Sequence, residues 1–153
     1  NLSAFGPPTA DRFFQLVQEQ KRYQARVAVS LDESAGGPFD LILAPAASLP
    51  AFTHGATRDL LTAGAYAPLY NLLGYPAGVV PMTRVQPGEE SVRAASSDVV
   101  VKLARKVEQD SAGLPIGVQL IARPWQEHVV LAAMAEIERR ARTAADFPRT
   151  PVI

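Results

Sequence analysis

Apolar and aromatic residues recur at Phe13, Leu16, Val17, Tyr23, Val27 and Leu31, in steps that keep them on one face of a helix of about 20 residues. Thr9, after Pro7-Pro8, is suited to cap that helix, with Asp11 in its first turn, and Gly36-Gly37-Pro38 supplies the stop. A short unbroken apolar run at 39–44 then reads as a buried strand, and its lack of alternation argues for a parallel one. Residues 45–58 show no period and read as a loop at the strand's C-terminal end, the edge where open α/β sheets place ligands. A short helix is expected over 66–74, with Pro68 near its first turn and Gly74 as its end. A second strand covers 77–82, a polar turn 87–90, and a helix the later part of 91–108, with Ser97 or Asp98 as cap. Val99, Val100, Leu103, Ala104 and Val107 share one side of that helix. A third strand follows at 116–122, a turn at Arg123-Pro124-Trp125, and a last helix over 126–142 with Val130, Met134, Ile137 and Ala141 stacked on one face. The tail, 148–153, reads as loose.

Strands alternating with helices give an α/β fold, here a mixed or mainly parallel sheet flanked by helices. Three strands leave two open edges, a liability for a free-standing domain, so completion by further chain is expected. Residues 60–83 carry no charge and match a bilayer crossing in length. Pro68, Pro76 and Pro81, with Gly64, Gly74 and Gly78, would break the helix that a crossing needs, so this stretch reads as a buried helix and strand.

Composition narrows the function classes. Fifteen basic and fifteen acidic residues cancel, leaving no electrostatic footprint for nucleic acid or an anionic membrane surface. There is no cysteine, hence no disulfide, no thiolate nucleophile and no Cys-based metal site, which fits a reducing compartment and a cytoplasmic or membrane-peripheral location. The first residues have neither a basic nor an apolar region of the secretory kind. No cofactor fingerprint, nucleophile elbow or zinc helix is present, so no cofactor or metal is expected.

The reactive side chains read as ordinary ones. His54 sits in a loop and His128 at the start of the last helix, each without a partner at useful spacing. Ser96-Ser97 lacks flanking glycines to form an oxyanion hole and reads as a helix cap. Lys21, Lys102 and Lys106 fall on polar helix faces rather than in the desolvated setting of a lysine base. Glu89-Glu90 lies in a polar turn. Trp125, the lone tryptophan, either lines an apolar pocket or covers the seam between strand and helix.

Three segments in order carry a family resemblance. Phe39-Asp40-Leu41-Ile42-Leu43-Ala44-Pro45, Tyr70-Asn71-Leu72-Leu73-Gly74-Tyr75-Pro76-Ala77-Gly78-Val79-Val80-Pro81 and Gly113-Leu114-Pro115-Ile116-Gly117-Val118-Gln119 are similar to segments in the C-terminal half of amidase-signature enzymes. The form of the second segment, and Pro124-Trp125-Gln126-Glu127 before the last helix, resemble the fatty-acid-amide-hydrolase branch. So does the long excursion over 83–112.

That resemblance implies an α/β/α sandwich that hydrolyses acyl amides with a Ser nucleophile, a relaying Ser and a Lys base. The glycine-serine loop that carries this chemistry has no match here, so no catalytic residue transfers, and residues 1–153 read as the C-terminal portion of one amidase domain. The chain alone is then expected to be inactive. Its partners would be the N-terminal remainder of the enzyme and a small amide substrate, with a homodimer also compatible. By resemblance, Leu61, Gly64, Pro68, Leu69, Val100, Leu103 and Trp125 are candidate substrate-channel residues. Burying an acyl chain there would gain about 0.8 kcal/mol per methylene. Two other readings stay open: a fragment like the A subunit of a multi-subunit amidotransferase, and a non-catalytic structural or binding module.

Overall fold

The computed structural model describes residues 9–33 and 38–149. The chain divides into two compact units, Asn1–Phe39 and Asp40–Ile153. In the first, α1 spans Ala10–Asp32. Thr9 caps it as expected: its backbone is extended and its side-chain oxygen accepts the Arg12 N–H at 3.2 Å. No residue of α1 is buried, and Phe13, Phe14, Leu16 and Val29 are exposed. Pro7-Pro8, Gly36-Gly37 and the end of the expected loose tail lie outside the described residues.

In the second unit the elements are β1 (Ile42–Pro45), α2 (Tyr66–Leu73), β2 (Ala77–Arg84), α3 (Val99–Glu108), β3 (Pro115–Ile121) and α4 (Glu127–Ala141). The last strand in the chain is the middle one in space. The order is β1-β3-β2, and both pairings are antiparallel. This corrects the parallel sheet expected from the unbroken apolar run in β1. Such a run reports which faces can be buried and carries nothing about strand direction, which the long-range pairing decides. Here β1 alternates between half-buried and exposed, and Leu43 is 65% exposed.

One face of the sheet packs on α4. Val130 joins Val80, Leu120 and Ala122 there, with Leu41, Met82, Val118, Ala133, Met134 and Ile137 at the margin. The register explains this set: Gly78 stands opposite Leu120 and Val80 opposite Val118, so these side chains share a face. Gly78 makes room for the helix, because an added Cβ would fall on the Met134 sulfur. At Pro81, which has no N–H for the ladder, the β2 register slips before Thr83. The Thr83 hydroxyl donates to the Asp146 carboxylate there, fastening the chain after α4 to the irregularity.

A second cluster draws in part of the segment that the sequence suggested was loop. Leu49, Leu60 and Ala63 pack with Ala104 and Val107 of α3, joined by Phe52, Ala56 and Leu103. Two short 3₁₀ turns, Ala56–Arg58 and Leu61–Gly64, fold the segment. Ser48 closes it by donating both its backbone N–H and its hydroxyl to the Ala63 carbonyl at 3.0 Å. The uncharged stretch 60–83 is thus one 3₁₀ turn, a two-turn helix ending at the left-handed Gly74 (φ 70°), and a strand. No described helix is long and apolar enough to cross a membrane.

Candidate functional site

The cluster that joins residues 60–63 to α3 brings together the two segments named above as candidate channel walls. Leu103 turns inward, half-buried against Leu60, Ala63 and Val107. Its neighbours remain uncovered: Leu61 is 80% exposed, Val100 52% and Leu69 39%. Gly64 is half-buried and Pro68 exposed. Apolar side chains left outside a packed seam can wall a groove or meet further chain. In α2, burial raises the Tyr70 phenol above its ordinary value by disfavouring the phenolate.

Trp125 joins neither apolar cluster. It is 87% exposed, and its backbone is left-handed at φ 68°. The Gln126 N–H closes the turn on the Arg123 carbonyl at 3.1 Å, with Pro124 and Trp125 at the centre. A proline followed by a residue at positive φ is a type II pattern, which normally takes glycine at the second position. The indole therefore does not cover the strand–helix seam in this unit and stands exposed beside it.

The strand carrying Gly117 and Gln119 is held at its start by the preceding turn. Gly113, at φ 83°, donates its N–H to the Val85 carbonyl at 2.8 Å, and its own carbonyl accepts from Arg84 Nη1 at 2.7 Å. Gly117 faces a crowded spot: an added Cβ would lie 2.9 Å from both the Val80 carbonyl oxygen and Val79 Cγ1. The glycine of the Gly-x-Gln segment is thus required by strand packing. Gln119 is buried in the central strand.

His54, His128, Lys21, Lys102 and Lys106 are all exposed. Ser96 accepts the Asp98 N–H at 3.1 Å, and Asp98 is the cap of α3, accepting from Val101 at 3.0 Å. Three hydroxyls are engaged elsewhere: Ser91 donates to Glu108, Thr83 to Asp146 and Thr143 to the Arg140 carbonyl, while the buried Ser111 hydroxyl has no hydrogen-bond partner. A Ser–Lys or Ser–His pair, the minimum for an activated hydroxyl, is not assembled among these bonds. No group of three or more metal-ligating side chains converges among the described residues.

One feature escaped the sequence reading. Glu108, the last residue of α3, is only 6% exposed and accepts from Ser91 and from Arg93 Nε, the latter at 2.6 Å. A cavity of about 510 Å³ lies beside it, with Ser48, Thr83, Arg84, Glu90 and Arg93 in its wall. A glutamate after a basic pair at a helix end looks like a solvated residue in sequence. Only the return of the 91–93 segment buries it.

The family model described as Amidase matches residues 8–131. This chain belongs to the amidase family. It is 35% identical over 145 residues to fatty-acid amide hydrolase 1 of Sus scrofa, covering 90% of this chain and 24% of that protein. It is 38% identical over 102 residues to fatty acid amide hydrolase 1 of Caenorhabditis elegans, covering 65% of this chain and 18% of that protein. The amidase chain therefore spans a quarter or less of these relatives, and the resemblance seen in its three segments is that of its family.

Proposed function

We propose that this chain is the C-terminal scaffold and substrate-channel portion of an amide-bond hydrolase that splits acyl amides, fatty ones among them, into acid and amine. The observation that carries the reading is the match itself: relatives named for fatty-acid amide hydrolysis align with 90% of this chain through 24% of their own length. A serine nucleophile, a relaying serine and a lysine base would reside in the N-terminal remainder of the enzyme, and the three strands would join a larger sheet there.

In this reading Leu61, Leu69 and Val100, with Gly64, Pro68, Leu103 and Trp125, wall the path of the acyl chain. Their aliphatic character suits that guest, since each methylene moved out of water gains about 0.8 kcal/mol. The test is a length series of acyl amides in an enzyme carrying this region, comparing the parent with Leu61→Arg and Val100→Arg. Long-chain substrates should lose kcat/KM through KM, by tenfold or more, while the shortest amides are turned over almost unchanged. Equal losses for short and long substrates would remove the channel role and leave only a scaffold.

A further inference from the structure

Residues 89–97 run between two fixed points. At one end Gly88, at φ 88°, completes a turn in which Glu89 N–H donates to the Gln86 carbonyl at 3.0 Å. At the other, Asp98 caps α3. Between them no side chain is buried: Val92 is 98% exposed, and every residue from 91 to 97 faces solvent. The segment therefore has no apolar anchor. It reaches α3 through three polar contacts, Ser91 and Arg93 donating to the two oxygens of Glu108, and Arg105 donating to the Arg93 carbonyl. Residues 89–93 themselves form part of the wall of the cavity, with Pro50, Val85 and Ile116 beside Ser48, Thr83, Arg84 and Glu108.

We propose that residues 89–93 form a latched strap, held against α3 by Glu108 along one wall of this open cavity and able to release without unfolding the sheet. Glu108 is an unexpected place for a carboxylate. It ends a helix, where the dipole disfavours negative charge, and it is buried, where an unpaired charge is costly. Both costs are met only while Ser91 and Arg93 are in place, so the strap and the carboxylate stabilise each other. The Arg93 side chain is already 39% exposed and loses little on returning to water, which makes it the releasing end. Release would widen a cavity whose wall mixes hydroxyls, guanidinium and carboxylates with Pro50, Val85 and Ile116.

The chain has no cysteine, so a single introduced thiol takes a nitroxide label at one site. Val92→Cys reports on the strap. Leu131→Cys, on the exposed side of α4, reports on the rest of the unit. Glu108→Leu removes the latch without leaving a buried charge, and Arg93→Gln removes it from the solvent side. In either background the spectrum at position 92 should shift to a mobile component at least severalfold larger than in the parent, with position 131 unchanged. Trypsin should cut after Arg93 at least tenfold faster in Glu108→Leu. A label at position 92 that is equally mobile in parent and variants would overturn the proposal. Loosening of both labels together in both variants would also overturn it, because Glu108 would then support the unit as a whole.

Discussion

Gly117→Ala and Gly78→Ala add the same methyl group to neighbouring strands of one sheet, and the structure separates their costs. At position 117 the new Cβ would stand 2.9 Å from the Val80 carbonyl oxygen and 2.9 Å from Val79 Cγ1. Both belong to β2, and Val80 lies in the ladder opposite Val118. Relief means pushing β2 away from β3 or bending the ladder, since the backbone cannot rotate aside. Overpacking of this kind costs about 1–3 kcal/mol. At position 78 the obstruction is the end of the Met134 side chain, which can swing to another rotamer. Alanine also loses less backbone entropy than glycine in a strand, by about 0.5–1 kcal/mol. The two effects nearly cancel, so Gly78→Ala should stay within about 1 kcal/mol of the parent. The assay is urea unfolding followed by far-UV circular dichroism, with thermal melting as a check. At about 2–4 °C per kcal/mol, Gly117→Ala should melt roughly 2–12 °C lower. Equal stability of Gly117→Ala and the parent, or a larger loss for Gly78→Ala, would refute the packing argument.

Three further outcomes are expected. Leu60→Ala, at a position only 4% exposed, should cost about 2–5 kcal/mol in the same urea assay, against less than about 0.5 kcal/mol for a polar substitution at the exposed Thr57. Trp125→Gly should raise stability or leave it unchanged, within about 1 kcal/mol, because glycine accepts the left-handed turn that tryptophan resists; the parent's tryptophan emission should already be solvent-like before unfolding. Glu136 is lowered to about 2 by hydrogen bonds from Arg139 and Arg140, so its contribution is full above its ordinary value of 4.5 and is lost as pH falls through about 2. That acid loss, followed by the helical signal, should be small, should weaken in added salt because the group is solvent-exposed, and should vanish in Glu136→Gln.

Local chemistry was legible wherever it decided the outcome. Thr9, Asp98 and Gly74 mark helix ends that the structure keeps, and the α4 stripe Val130, Met134 and Ile137 is the face that covers the sheet. Strand positions followed from apolar runs, but direction did not, because β3 inserts between two strands that precede it in the chain. Residues 45–58 carry no period, so Leu49 was invisible as core until α3 was placed on it, and the buried reading of 60–83 did not reveal that Leu60 and Ala63 would meet Ala104 and Val107. Val99 and Val100 share the apolar side of α3 in sequence and are nevertheless exposed, since the cluster engages only Leu103, Ala104 and Val107. Trp125 gave the least warning: a Pro-Trp pair resembles a packing turn, and its outward indole depends on a backbone angle that no composition reveals. The Arg93–Glu108 contact joins the irregular segment before α3 to the far end of that helix, a separation of 15 residues.

The division between scaffold and chemistry is tested most directly by a fluorophosphonate serine probe, applied to this polypeptide and to a full-length amidase that contains it, with the modified peptide mapped by mass spectrometry. The full-length enzyme should take up the probe on a serine outside this sequence, and the chain by itself should take up none. Attachment to Ser48, Ser91, Ser96, Ser97, Ser111 or any other serine of these 153 residues would place the nucleophile here and contradict the assignment.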